Sequence, residues 1–145
     1  MGFEGMGKGM APSSDRPLGA PFGTGRKCVL VVEDELLIRL IVSDELRDAG
    51  YDVIEAFNAD EALTVLRSLV RVDLIISDVR MPGTLDGLGL LAEVGTAFPK
   101  LPVIMTSGHL EPGLALTNGA VAFLTKPYAL EALVSVVEKA LERDQ

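Results

Sequence analysis

The sequence has no tryptophan, a single cysteine and a single histidine, and aromatic residues make up only 5% of its 145 positions. With Cys28 alone there is no internal disulfide, and a reducing compartment, the cytoplasm, is expected. Cys28 reads as a small apolar residue opening a strand. A thiol nucleophile would need His109, to which nothing in the sequence links it. A surplus of positive charge is also missing: 21 acidic residues face 13 basic ones, a formal net charge of -8. The pI is near 4.6. Such a chain repels nucleic acid and anionic membranes and leaves a cationic partner open. No apolar run reaches the roughly 18 residues that a membrane span requires.

What is present is aliphatic. Hydrophobic residues account for 48% of the chain, and mean hydropathy is +0.35. The length suits one domain with a core of its own. The composition suits a sheet covered on both faces, whose strands carry few polar residues.

Residues 1–25 are rich in Gly, Pro, Met and Ser and show neither helical nor strand period. They lack the apolar block of a secretory signal and read as a flexible arm. Met6 and Met10 are alternative first residues. From Lys27 the texture changes, and residues 26–145 read as the folded domain. Cys28 to Val32 is a buried strand, followed by Glu33-Asp34-Glu35. A helix then runs to about Ala49, with Ile38, Ile41, Val42, Leu46 and Ala49 on its apolar face and Gly50 as its stop. Tyr51 to Ala56 is a second strand. Asn58 and Glu61 resemble a capping box ahead of a helix with an Ala62, Val65, Leu66, Leu69 stripe. Val72 to Ser77 is the third strand, ending at Asp78 before a loop forced open by Pro82 and Gly83. Asp86 caps a third helix carrying Leu88, Leu91, Val94 and Phe98. Val103 to Thr106 is the fourth strand, ending at Ser107-Gly108-His109. Pro112 and Gly113 leave a short fourth helix, Leu114 to Asn118, ended by Gly119. Val121 to Leu124 is the fifth strand, closing on Thr125-Lys126-Pro127. The last helix runs from about Ala129 to Arg143, with Leu130, Leu133, Val134, Val137 and Leu141 on one face.

Five strands alternating with five helices imply a doubly wound α/β parallel sheet in a three-layer sandwich. The common flavodoxin-like order for five strands is 2-1-3-4-5, which sets strands 1 and 3 side by side at the switch point. Glu33, Asp34 and Asp78 then converge at one rim. Three close carboxylates raise one another's pKa and cost stability unless a cation neutralises them. A hard divalent ion with oxygen ligands, Mg²⁺, does so. Glu33-Asp34-Glu35 alone would be a solvated helix start favoured by the dipole; Asp78 on the neighbouring strand reverses that preference. Ser107 ends strand 4 and Lys126 follows strand 5, on the same rim. Singly they are a turn hydroxyl and a solvated lysine. Together, a carboxylate, a cation site, a hydroxyl and an ammonium suit phosphoryl transfer, with Asp78 as nucleophile towards phosphorus.

Val31-Val32-Glu33-Asp34-Glu35, Ser77-Asp78-Val79-Arg80-Met81-Pro82-Gly83, Val103 to Gly108 and Phe123-Leu124-Thr125-Lys126-Pro127-Tyr128 occur in this order with near-family spacing. In these motifs residues 27–143 resemble the receiver domain of bacterial two-component response regulators, the CheY-like superfamily. The resemblance implies that Asp78 is the phosphoacceptor. It implies Mg²⁺ held directly by Asp34, Asp78 and the backbone carbonyl of Arg80, with Glu33 acting through water. Ser107 matches the switch hydroxyl, while Thr106, one residue earlier, points to the other face of its strand. Lys126 matches the phosphate-binding lysine, a cis peptide is expected before Pro127, and Phe123 matches the switch aromatic as well as ordinary core.

Three features depart from the commonest pattern. The loop Gly83-Thr84-Leu85-Asp86-Gly87 is one residue longer, the fourth helix is short and carries Pro112, and Phe123 lacks the hydroxyl of a tyrosine. Arg80 and His109 fall where the family tunes phosphoryl lifetime, or they are solvated loop groups; as a metal ligand His109 would have no second histidine to join it.

By resemblance the partners are a histidine kinase or histidine phosphotransfer protein and a downstream protein target. The signal would pass through the face of helix 4, strand 5 and helix 5, which could also form a homodimer. The chain ends where helix 5 should end, so a stand-alone regulator without a DNA-binding or enzymatic output domain is expected. Two other classes remain. A Mg²⁺-dependent phosphohydrolase of the haloacid-dehalogenase type needs a second Asp two residues after its strand 1 nucleophile, and Asp34 is followed by Glu35 and Leu36. A phosphate-independent adaptor would have no use for Asp78, Ser107 and Lys126 together.

Overall fold

The computed structural model describes residues 25–108 and 112–143; the amino-terminal arm and His109 lie outside them. Ten elements alternate: β1 (Cys28–Val32), α1 (Leu36–Asp48), β2 (Asp52–Ala56), α2 (Ala59–Arg67), β3 (Leu74–Asp78), α3 (Gly87–Ala97), β4 (Val103–Ser107), α4 (Pro112–Thr117), β5 (Ala122–Thr125) and α5 (Leu130–Arg143). All strand pairs are parallel, in the order β2-β1-β3-β4-β5. The expected order is therefore the observed one.

Strand alternation divides the core in two. Val29, Val31, Leu74, Ile76 and Ile104 face α1 and α5, where Val42, Leu46, Leu133 and Val137 cover them. Leu30, Val32, Ile75, Val103 and Met105 face α2, α3 and α4. β1, β3 and β4 are buried along their whole length. That is why they read as unbroken apolar runs. Among the described residues, no helix is long and apolar enough to cross a membrane.

The expected caps form. Asn58 Oδ1 accepts the Glu61 N–H at 2.8 Å, and Glu61 reaches back to the Phe57 N–H at 2.8 Å. Asp86 Oδ1 accepts the Gly89 N–H at 2.9 Å. Gly50, just past α1, takes φ +104°, the left-handed conformation that ends a helix.

Several side-chain assignments need correction. Ile41 is 52% exposed and Ala49 is exposed, whereas Ser43 is buried. At about 100° per residue the buried arc of α1 runs from Ile38 through Val42 and Leu46 to Ser43, and Ile41 falls outside it. Leu69 is fully exposed, because α2 ends at Arg67 with an extended Ser68 as its cap. Leu63 and Ala59 are buried in α2 and Leu90 in α3, none of them in the expected stripes. α4 begins at Pro112 rather than Leu114; a proline in the first turn loses no helical hydrogen bond. β3 extends to include Asp78, and β5 to include Thr125.

Candidate functional site

The carboxyl ends of β1, β3, β4 and β5 form one rim, and several of the polar residues found there are buried. Glu33 is 4% exposed, Asp78 is 7%, and Ser107 is as buried as the core beside it. Asp34 is solvent-facing. One carboxylate oxygen from each of Glu33, Asp34 and Asp78 falls in a group whose members all lie within 4.8 Å of one another.

Lys126 ties the rim together. Its Nζ donates to Glu33 Oε1 at 3.0 Å and lies 3.4 Å from Asp78 Oδ2. Its backbone N–H donates to the Ser107 carbonyl at 3.0 Å, and the Lys126–Pro127 peptide is cis, as expected. Asp78 is registered against Thr106 on β4, and Ser107 against Thr125 on β5. Thr106 and Ser107 therefore leave their strand on opposite faces. Phe123 is half-buried and packs on the α2, α3 and α4 side of the sheet.

Burial dominates the electrostatics. It pushes the Asp78 carboxyl above its ordinary value, and Asp34 adds to the rise; the Lys126 ammonium and the Arg80 backbone N–H offset only part of it. Burial also raises Glu33, against the hydrogen bonds from Lys126 and from the Glu35 N–H. For Lys126, burial pulls downward, but the hydrogen bond to Glu33 and the charges of Asp78 and Glu33 outweigh it and the group is raised. Two buried carboxylates thus share one ammonium, with the exposed carboxylate of Asp34 beside them. A hard dication among these oxygens would relieve the remaining repulsion. The donor set, oxygen only and close together, fits Mg²⁺.

The loop behind Asp78 is held by contacts that the sequence reading did not single out. The Val79 N–H donates to the Thr106 carbonyl, and the Gly87 N–H donates to the Val79 carbonyl, both at 2.9 Å. A Cβ on Gly87 would overlap the Asp78 carbonyl oxygen and stand 2.7 Å from Val79 Cα. α3 therefore starts directly against the backbone of Asp78, and only glycine allows it. The signal was present as the Asp86-Gly87 pair, a turn signature. Gly83 takes φ +110° in the longer loop, and Thr84 Oγ1 donates to Asp60 Oδ2 on α2 at 3.3 Å. Arg80 is exposed beside this loop.

A five-stranded, doubly wound sheet with an acidic cluster and a lysine at its carboxyl rim defines a class of α/β phosphoacceptor domains. Residues 29–138 match the response regulator receiver domain, and the chain belongs to that family. It is 36% identical over 123 residues to the DNA-binding transcriptional regulator NtrC of Salmonella typhimurium, covering 83% of this chain and 26% of NtrC. It is 38% identical over 124 residues to the sensor kinase CckA of Brucella abortus, covering 83% of this chain and 13% of CckA. The crystal structure of the NtrX receiver domain from Brucella abortus superposes with a TM-score of 0.74 at 40% identity, over 79% of this chain and 98% of that one. The chain thus spans about a quarter of the length of NtrC and less of CckA. Receiver domains are signalling phosphoacceptors that receive phosphate from histidine kinases and bind Mg²⁺ at their acidic pocket.

Proposed function

We propose that this domain is a Mg²⁺-dependent switch phosphorylated on Asp78. The observation that carries the reading is the convergence at one rim: Lys126 Nζ at 3.0 Å from Glu33 and 3.4 Å from Asp78, with the oxygens of Glu33, Asp34 and Asp78 within 4.8 Å. Asp34, Asp78 and the Arg80 carbonyl would hold the cation, with Glu33 acting through water. When bound, Mg²⁺ supplies charge neutralisation for the phosphoryl oxygens.

The donor is a phosphohistidine on a histidine kinase or histidine phosphotransfer protein. An Asp78 carboxylate oxygen attacks phosphorus in line. The new O–P bond forms as the N–P bond breaks, and the electron pair returns to the imidazole nitrogen, which takes up a proton. Lys126 and Ser107 then engage the phosphoryl oxygens. Movement of Ser107 makes room for Phe123 to turn inward. A local charge event so biases a two-state element. The donor docks on α1, where Leu36, Leu37, Leu40 and Ile41 are exposed. Beside them a groove of about 460 Å³, lined by Ile38, Pro127, Tyr128 and Leu130, opens next to Lys126. The output surface is the α4–β5–α5 face, with Leu114, Leu116 and Val121 exposed. It addresses a downstream protein or a second copy of the domain. The domain acts in the cytoplasm, and its net charge of -8 disfavours its own direct contact with nucleic acid or an anionic membrane. It is not an enzyme beyond slow loss of its own phosphoryl group.

The test is intact mass after incubation with acetyl phosphate and Mg²⁺, and again with a phosphorylated histidine donor. A single phosphoryl adduct, absent in Asp78→Asn and in chelator, is expected. No adduct from either donor overturns the switch and leaves a phosphate-independent adaptor.

A further inference from the structure

We infer that Arg39 is a positioning residue that aims the Glu33-Asp34 turn at the cation site, with Glu55 as its anchor. The inference rests on the proposed cation site. The turn between β1 and α1 carries two of the three clustered carboxylates; the Glu35 N–H donates to Glu33 Oε2 within it at 3.2 Å, but the N-cap side chain contributes nothing. Glu35, at the N-cap position of α1, makes no side-chain cap hydrogen bond, whereas α2 and α3 are capped by Asn58 and Asp86.

Arg39 adds a hold on the backbone of the turn from α1. Its side chain is 16% exposed. Nη1 donates to the Glu33 carbonyl at 2.8 Å, and Nε donates to Glu55 Oε1 on β2 at 3.1 Å. On the other side of the same residue, the Glu33 N–H donates to the Ala56 carbonyl at 3.0 Å. Residue 33 is thus tied at both its N–H and its C=O to the end of β2, once directly and once through a planar guanidinium with two fixed donors. The Glu33 carbonyl belongs to the peptide that leads into Asp34, so its direction sets where the Asp34 carboxylate leaves the chain. Glu55 also offsets the guanidinium charge near the acidic cluster, which makes Arg39 a strut rather than a competing cation. Groups that orient ligands in this way are typically worth 10–100-fold in metal affinity.

The experiment titrates the full chain with Mn²⁺, read by electron paramagnetic resonance, beside thermal unfolding without cation. Asp78→Asn should lose the site; unchanged Mn²⁺ binding there, or no binding by the wild type, overturns the cation site itself. Given that control, Arg39→Met should weaken Mn²⁺ about tenfold, and Arg39→Lys, which supplies one donor point in place of a fork, should recover part of the loss. Glu55→Gln, which leaves the guanidinium in place, should weaken binding by a smaller factor and serves if Arg39→Met does not fold. Wild-type Mn²⁺ affinity in folded Arg39→Met, whatever its unfolding temperature, or in Glu55→Gln where Arg39→Met does not fold, overturns the positioning role.

Discussion

The middle of the sheet and its carboxyl rim are buried almost equally and are chemically opposite. Leu30, Ile75 and Ile104 are 0% exposed; Glu33, Asp78 and Ser107, each three residues further along the chain, reach at most 7%. In the middle, burial stabilises the fold by roughly 25 cal/mol per Å² of apolar surface. At the rim the same burial opposes folding, because a carboxylate taken from water is only partly compensated by one lysine. The rim is therefore where stability is surrendered for chemistry, and the layer beneath it supplies the surplus.

The sharpest way to break the contrast is to weaken the supporting layer. Leu30→Ala should cost about 2–5 kcal/mol, read as a lower urea midpoint, and should weaken the fold without touching the acidic cluster. A cost below about 1 kcal/mol would mean that the centre of the sheet is not the source of the surplus. Gly87→Ala attacks the seam between the two regions. Its Cβ has no room against Asp78 and Val79, so a loss of about 1–3 kcal/mol should accompany slower phosphorylation by acetyl phosphate. An unchanged rate would separate the loop from the chemistry.

Asp78→Asn should do the reverse and raise the unfolding temperature at pH 7 without divalent cation. The folded pKa of Asp78 lies above its ordinary 3.8, chiefly through burial. Its contribution to stability is therefore most favourable below pH 3.8 and is lost as pH rises through the folded value. At pH 7, above the ordinary carboxyl value, the wild type carries a charge-burial penalty that the amide does not. The gain should shrink as pH falls towards 3.8, and a gain independent of pH would exclude charge burial as its cause. The smallest effect belongs to Ser43. Its hydroxyl is buried in α1 with no hydrogen-bond partner among the described residues. Ser43→Ala, which also favours the helix, should stabilise by up to about 1 kcal/mol in a urea titration.

The architecture was readable because its signals are local. Val29 to Val32 and Leu74 to Ile76 are apolar without interruption, as strands buried on both faces must be, and Asn58 and Asp86 cap the helices that follow them. The site was readable one step further on, since the order of the strands brings Glu33, Asp34 and Asp78 to one edge before any side chain is placed. Helix faces were less readable. Ile41 and Leu69 are apolar and correctly spaced, yet exposed, because the position of an arc on its sheet and the exact end of a helix depend on packing partners far along the chain.

Residue type and spacing, then, were enough for the elements and the fold class, since these follow from a period of two or 3.6 and from where an apolar run stops; the strand order came from the commonest arrangement of five such units, and with it the residues that meet at the rim. Which oxygen takes the Lys126 ammonium, the strut from Arg39 to Glu33 and Glu55, and the bare Cα required at Gly87 came only with the assembled chain. Lys126 and Glu33 are 93 residues apart, and no local pattern encodes a contact made by the closing of a sheet.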